Sequence, residues 1–195
     1  MAIDFYLDFV SSFGYLARHR LVEIAKAHGE EIRYHPVAIF KLRELAGSTG
    51  PSNGQIPLKL AYFTRDFTRW ADLYGISITS KLGGYQTNVL NRAVYLATER
   101  GQADAYVEAA WNSVWRDGLD PAAPDTEAML EQAMGWAPGE LAAFANRPDI
   151  VGRFDAETEA ASARGIFGVP TFFIGDEMWW GNDRLDFLER HLDAR

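Results

Sequence analysis

Phe167-Gly-Val-Pro-Thr-Phe-Phe-Ile174 is the stretch on which the fold turns. Val169 to Ile174 is apolar and rich in β-prone residues, so it reads as a strand that Pro170 can only begin. Gly175-Asp176 follows as a hairpin turn, and Met178-Trp-Trp180 can pair back. Gly181-Asn182-Asp183 then precedes a helical run from Arg184 to Leu192. Leu185, Leu188, Glu189 and Leu192 share its register, and Asn182 or Asp183 is suited to cap it. The chain therefore closes β-β-α.

Its opening has the complementary pattern. Ile3 to Phe9 is dense in aliphatic and aromatic residues around Asp4 and Asp8 and reads as a buried strand. Ser11-Ser12 interrupts it. From about Gly14 the spacing is helical, with Ala17, Leu21, Ile24 and Ala25 on one face and His19, Glu23 and Lys26 turned away. Gly29 is a stop signal, and Ile32 to Val37 reads as a second strand with Pro36 marking its end or an edge position. Parallel pairing of these two strands is the default for such a crossover. The middle is helical: a run from Pro57 to Gly75, then about Asn88 to Arg100, Ala103 to Trp115, Thr126 to Met134 and Arg147 to Arg164, punctuated by glycines. Ile76 to Thr79 is the one candidate strand there.

Composition narrows the function classes. The chain has 195 residues, 48% hydrophobic and 24% charged, an ordinary globular balance for one domain or one domain with a large insertion. A net charge of −8 disfavours non-specific binding to nucleic acid or acidic membranes. There are no cysteines, which removes disulfides, thiolate metal sites and cysteine nucleophiles together. The four histidines form no ligand pattern, so no metal site is expected. No signal-peptide pattern or membrane-spanning run is visible, and a cytoplasmic protein is expected.

Asp8-Phe-Val-Ser-Ser-Phe-Gly-Tyr-Leu-Ala17 after the first strand and Phe167-Gly-Val-Pro-Thr-Phe-Phe173 before the third resemble the paired motifs of thioredoxin-fold proteins. Those proteins place a reactive Cys-x-x-Cys at the first and a cis-proline opposite it at the second. Here Ser11-x-x-Gly14 stands in the first position. The fold class implied is α/β, a thioredoxin-like β-α-β…β-β-α core from 1–40 and 165–195 with a large all-helical insertion from 41–164. Gly50-Pro-Ser-Asn53, Arg69-Trp-Ala-Asp-Leu-Tyr-Gly75 and Gly175-Asp-Glu-Met-Trp-Trp-Gly-Asn-Asp-Arg-Leu185 extend the resemblance to the kappa-class glutathione transferases, and more closely to the 2-hydroxychromene-2-carboxylate isomerases. The resemblance covers nearly the whole chain. Where that family often has proline after its reactive serine, this chain has Ser12.

The resemblance implies a glutathione-dependent isomerase acting on a small aromatic carboxylate, as a homodimer, with kappa-like conjugation as the alternative. A serine at a helix N-terminus can donate to an anion where free amides and the helix dipole already favour negative charge. Ser11 is the expected contact to the glutathione sulfur, with Ser12 as the neighbouring option; either can equally be a plain helix cap. A cis bond at Val169-Pro170 would offer backbone groups of Val169 to a peptide-like cofactor. The family pattern assigns cofactor contacts to Trp180, Gly181, Asn182 and Asp183, where a second helix start can receive a carboxylate. It assigns substrate contacts to Arg43, Ser52, Asn53 and Tyr85, and gives Asn91 weaker support. Arg43 suits a bidentate carboxylate pair, although it could also be a solvated surface charge.

Overall fold

The computed structural model describes residues 2–79 and 86–195. β1 (Ala2–Leu7) runs into α1 (Ser12–His28) and returns as β2 (Glu31–Pro36). The two strands are parallel, from Ala2 opposite Glu31 to Leu7 opposite Pro36. β3 (Thr171–Ile174) and β4 (Glu177–Trp180) form the expected hairpin across Gly175-Asp176, and β3 pairs antiparallel with β1. The sheet order is β2-β1-β3-β4. Pro36 is both the last residue of β2 and on an edge strand, where its missing N–H costs nothing.

Seven helices separate β2 from β3 among the described residues: α2 (Ile39–Leu45), α3 (Pro57–Tyr74), α4 (Asn88–Glu99), α5 (Ala103–Trp111), α6 (Pro124–Met134), α7 (Glu140–Ala145) and α8 (Pro148–Ala163). α9 (Leu185–Asp193) closes the chain. Period-2 alternation sorts the sheet's side chains between two cores. Ile3, Phe5, Leu7, Phe172 and Ile174 face α1 and α9 in the larger core. Tyr6 and Phe173 point the other way, toward Val37, Leu42 of α2 and Ala161 of α8. The helical block shares the larger core with the sheet. Trp111 is fully buried, stacked on Phe5 at 5.6 Å and edge-on to Phe9 at 5.2 Å.

α1 forms because its apolar positions recur at helical spacing and both of its ends are capped. The Ser11 hydroxyl accepts from the Gly14 N–H at 3.0 Å, and Gly29 ends the helix at φ 66°, a conformation that favours glycine. Gly14 is also a packing requirement, since a Cβ there would sit 2.9 Å from the Trp111 ring.

Three local readings are corrected. Ile76 to Thr79 is not a strand; Thr79 N–H instead donates to the Trp115 carbonyl at 2.8 Å. α5 stops at Trp111, and Asn112–Arg116 continues as a π turn. Neither Asn182 nor Asp183 caps α9, because Asn182–Arg184 winds into a 3₁₀ turn that leads into the helix. α2 and α7, which carry little sequence signal of their own, are additions to the expected helices.

Candidate active site

Residues 8–11 turn the chain from β1 into α1 and leave Ser11 as the helix N-cap, with extended backbone at φ −82° and ψ 106°. Its hydroxyl lies 3.4 Å from the Val169 carbonyl. Ser12, the alternative contact, is inside the first turn and buried, at 3% exposure. The backbone N–H groups of Ser12 and Phe13 make no hydrogen bond among the described residues, as expected for the first turn of a helix. No acidic side chain stands in that turn.

The Val169-Pro170 peptide bond is cis. The Val169 N–H has no partner among the described residues, while the Pro170 carbonyl accepts from Gly181 N–H at 2.9 Å. That bond ties the proline loop to the end of β4. Trp180 is half exposed, and its ring lies edge-on to Phe167 at 4.8 Å. Its Nε1 is so close to Gly168 that a Cβ there would meet it at 2.9 Å. Gly181 has φ 100° and ψ 152°, conformational space that favours glycine, and a Cβ there would meet Asp183 at 2.6 Å.

Asn182 is 3% exposed. Its Oδ1 accepts from the Tyr74 hydroxyl at 3.3 Å, and its Nδ2 is buried with no partner among the described residues. An unsatisfied buried amide is costly unless a ligand completes it. Asp183 is exposed and pairs with Arg184 at 2.7 Å. Ser11 and Val169 thus meet at the start of α1, the Pro170–Gly181 bond ties the end of β4 to the proline loop, and Asn182 and Asp183 open the next turn along the chain.

The substrate candidates form a second group. Arg43 lies on α2, and its guanidinium makes a long, exposed contact with the Gly50 carbonyl at 3.4 Å, beside the Gly50-Pro-Ser-Asn53 loop. It makes no ion pair among the described residues. Ser52 N–H donates to Gln55 Oε1 at 2.7 Å, and Asn53 opens a 3₁₀ turn, Asn53–Gln55. No hydrogen bond joins this group directly to Ser11 among the described residues. Tyr85 lies outside the described residues. Asn91 is fully buried, and its Oδ1 accepts from Phe9 N–H at 3.1 Å, so it serves the turn rather than an open surface.

The residue that links the groups is Asp8, the first residue of the Asp8–Ala17 stretch and not itself a site candidate by sequence. Its carboxylate accepts from Val10 N–H at 3.1 Å, from the Thr87 hydroxyl at 2.6 Å and from Ile39 N–H, the first residue of α2, at 3.0 Å. Burial pushes this carboxyl up, against hydrogen bonds that pull it down. An acid three residues before Ser11 is the available sequence signal for Asp8, and for Tyr74 it is its place in the Arg69–Gly75 stretch that carries part of the resemblance.

Glutathione fits the chemistry present. Two free amides and a hydroxyl suit a thiolate, the free Val169 N–H suits a peptide carbonyl, and the unpaired Asn182 amide suits a carboxylate. A recess of about 690 Å³ along the outer edge of β2 includes none of these residues. Among the described residues no cluster of His, Asp or Glu could hold a metal ion, and no helix is long and apolar enough to cross a membrane.

Comparison with known proteins agrees with this geometry. The family described as DSBA-like thioredoxin domain matches residues 2–193. A 2-hydroxychromene-2-carboxylate isomerase of Pseudomonas sp. (strain C18) is 40% identical over 187 residues, covering 96% of this chain and 88% of that protein. One from Pseudomonas putida is 40% identical over 189 residues, covering 97% and 93%. A solved structure of a 2-hydroxychromene-2-carboxylate isomerase superimposes with a TM-score of 0.94 at 39% identity, covering 100% of this chain and 95% of that one. The shared fold, extending from the Ser11 turn through the helical block to the cis-proline hairpin, and identity at this level over almost the full length lead to one assignment: this chain belongs to the DsbA-like thioredoxin domain family, among the 2-hydroxychromene-2-carboxylate isomerases.

Proposed function

We propose that this chain is a glutathione-dependent isomerase that interconverts 2-hydroxychromene-2-carboxylate and trans-o-hydroxybenzylidenepyruvate, a step of aromatic (naphthalene-type) degradation. What supports the reading most is the meeting of the Ser11 hydroxyl with the unpaired Ser12 and Phe13 amides opposite the cis Val169-Pro170 bond. Bound glutathione supplies a thiolate that can add reversibly to a conjugated alkene, so that the former double bond can rotate.

The residues of the chain do the rest. The Ser11 hydroxyl and the α1 amides favour the anionic sulfur over the thiol. A two-unit depression of a thiol pKa near 8.5 corresponds to about 2.7 kcal/mol of preference for the thiolate. Val169 N–H pairs with the peptide backbone of the cofactor. The Asn182 amide and the 3₁₀ turn start hold its γ-glutamyl end, with Asp183 and the Trp180 ring beside it. Arg43 takes the substrate carboxylate as a bidentate pair, and Ser52, Asn53 and Tyr85 contact the rest of the substrate. Holding both reactants in one geometry removes much of the entropic part of the barrier. With this reading go a cytoplasmic location, a homodimeric state, which the resemblance implies, and the division at 1–40 with 165–195 against 41–164, which follows the order of the expected elements.

The lack of cysteine sets the chain apart from thiol–disulfide enzymes of the same fold, since it has no sulfur of its own to exchange. Product analysis by proton NMR tests the assignment. The expected result is the trans keto acid with glutathione recovered unchanged. Accumulation of a stable glutathione adduct would refute isomerisation and favour conjugation.

A further inference from the structure

The four residues between β1 and α1 are held in place by other parts of the chain. Phe9 is gripped at both ends of its backbone, its N–H by Asn91 of α4 at 3.1 Å and its carbonyl by the Trp115 indole at 2.8 Å. Asp8 is 2% exposed, and its two oxygens divide their work. Oδ1 receives Val10 N–H and the Thr87 hydroxyl, both beside the Ser11 turn or the start of α4. Oδ2 receives Ile39 N–H. α2 needs that bond, because its N-cap position is Ala38, which has no side chain able to cap. A carboxylate from a different element therefore performs the capping, and its charge is favourable at a helix start. Arg43 follows Ile39 by four residues, one helical turn. Any rotation or slide at the start of α2 is thus carried directly to the guanidinium.

We propose that Asp8 is a positioning residue that sets the Ser11 turn in register with the Arg43 helix, one buried carboxylate bridging the backbone of both. The inference rests on the reading of Arg43 as the substrate's carboxylate contact and adds to it what holds the two halves of the site together. Only a carboxylate can fill this place. In Asp8→Asn one oxygen becomes a donor. Turned one way it opposes Ile39 N–H, and turned the other it opposes Val10 N–H, so one backbone donor loses its acceptor in either case.

The test is a double-mutant cycle on KM for the chromene carboxylate at saturating glutathione, with wild type, Asp8→Asn, Arg43→Ala and the double variant. Asp8→Asn is expected to raise KM about fivefold or more in the wild-type background and by less than about twofold when Arg43 is already absent. Glutathione affinity, measured by calorimetry, is expected to change far less than KM. Equal factors in the two backgrounds would overturn the proposal, because a general loss of folding does not depend on Arg43. Unchanged KM in Asp8→Asn would overturn it too.

Amide exchange on the wild-type protein gives a reading that needs no variant. Val10 and Ile39 are expected to be protected together, well above Ser12 and Phe13; rapid exchange at Ile39 would contradict the bridge. Should Arg43→Ala leave KM unchanged, the reading of Arg43 fails and with it the register role, whereas protection at Ile39 decides separately whether the bridge exists.

Discussion

Replacing Ser11 separates two roles that the structure combines in one hydroxyl. As a cap, its oxygen accepts from Gly14 N–H at 3.0 Å. As a donor, it lies 3.4 Å from the Val169 carbonyl, beyond the usual O–H···O range, so that contact adds little to stability and leaves the hydroxyl available. Ser11→Ala removes both roles. Loss of the cap costs about 1 kcal/mol, which lowers Tm by roughly 2–4 °C for a chain of this size. Ser11→Gly removes the hydroxyl but costs only a few tenths of a kcal/mol as a cap. A hydrogen bond to a charged group is worth about 1.5–3 kcal/mol, so loss of sulfur contact is expected to reduce kcat by about ten- to a hundredfold in both variants. Thermal unfolding and steady-state rates at saturating glutathione measure the two effects independently. The Gly variant is expected to be nearly as stable as wild type and as slow as the Ala variant. A Gly variant with wild-type turnover would show that Ser11 is only a cap.

Two other expectations follow from particular contacts. Gly168→Ala drives a methyl against Trp180 Nε1, and because that ring is half exposed it can swing aside. Glutathione affinity by calorimetry is therefore expected to weaken with little change in Tm; unaltered affinity would remove Trp180 from the cofactor site. Asp4 offers a pH test. Burial raises its carboxyl, but hydrogen bonds and charge from Arg164 and His35 outweigh that and hold it below the ordinary 3.8. A carboxyl lowered in the folded state stabilises above its unfolded pKa, and the contribution disappears as pH falls through the folded value. The stability advantage of wild type over Asp4→Asn is thus expected to persist at about pH 5 and fade toward about pH 2, and a constant gap in urea unfolding would contradict it.

The elements that position the site were legible because their signals are local. β3 is an unbroken apolar run closed by Gly175-Asp176, and α1 has both its periodic face and its glycine stop in sequence. Ser11 and Pro170 could be paired from a resemblance spanning both ends of the chain, and the structure brings them together. What was not legible depends on distant partners. α7 is six residues long, and the buried Glu131 carboxylate of α6 holds the N–H groups of Gly139 and Leu141 at its start, each at 2.8 Å. The π turn at Asn112–Arg116 delivers the Trp115 indole to Phe9, a contact 106 positions away. α2 has no cap of its own, and its acceptor, Asp8, stands 31 positions earlier, where the apolar pattern suggests only a strand. Tyr74 falls within the helical run from Pro57 to Gly75, and nothing local to that run shows that its hydroxyl reaches Asn182, 108 positions on. Periodicity reports which side of an element is buried; it does not report which polar group a buried polar group will meet.

The proposed reactivity comes from a sulfur the polypeptide does not own. Following 2-hydroxychromene-2-carboxylate isomerisation in the ultraviolet with glutathione, with S-methylglutathione and with neither isolates that sulfur. Turnover is expected with glutathione alone, with S-methylglutathione binding competitively and not supporting the reaction. Equal rates in all three would contradict it.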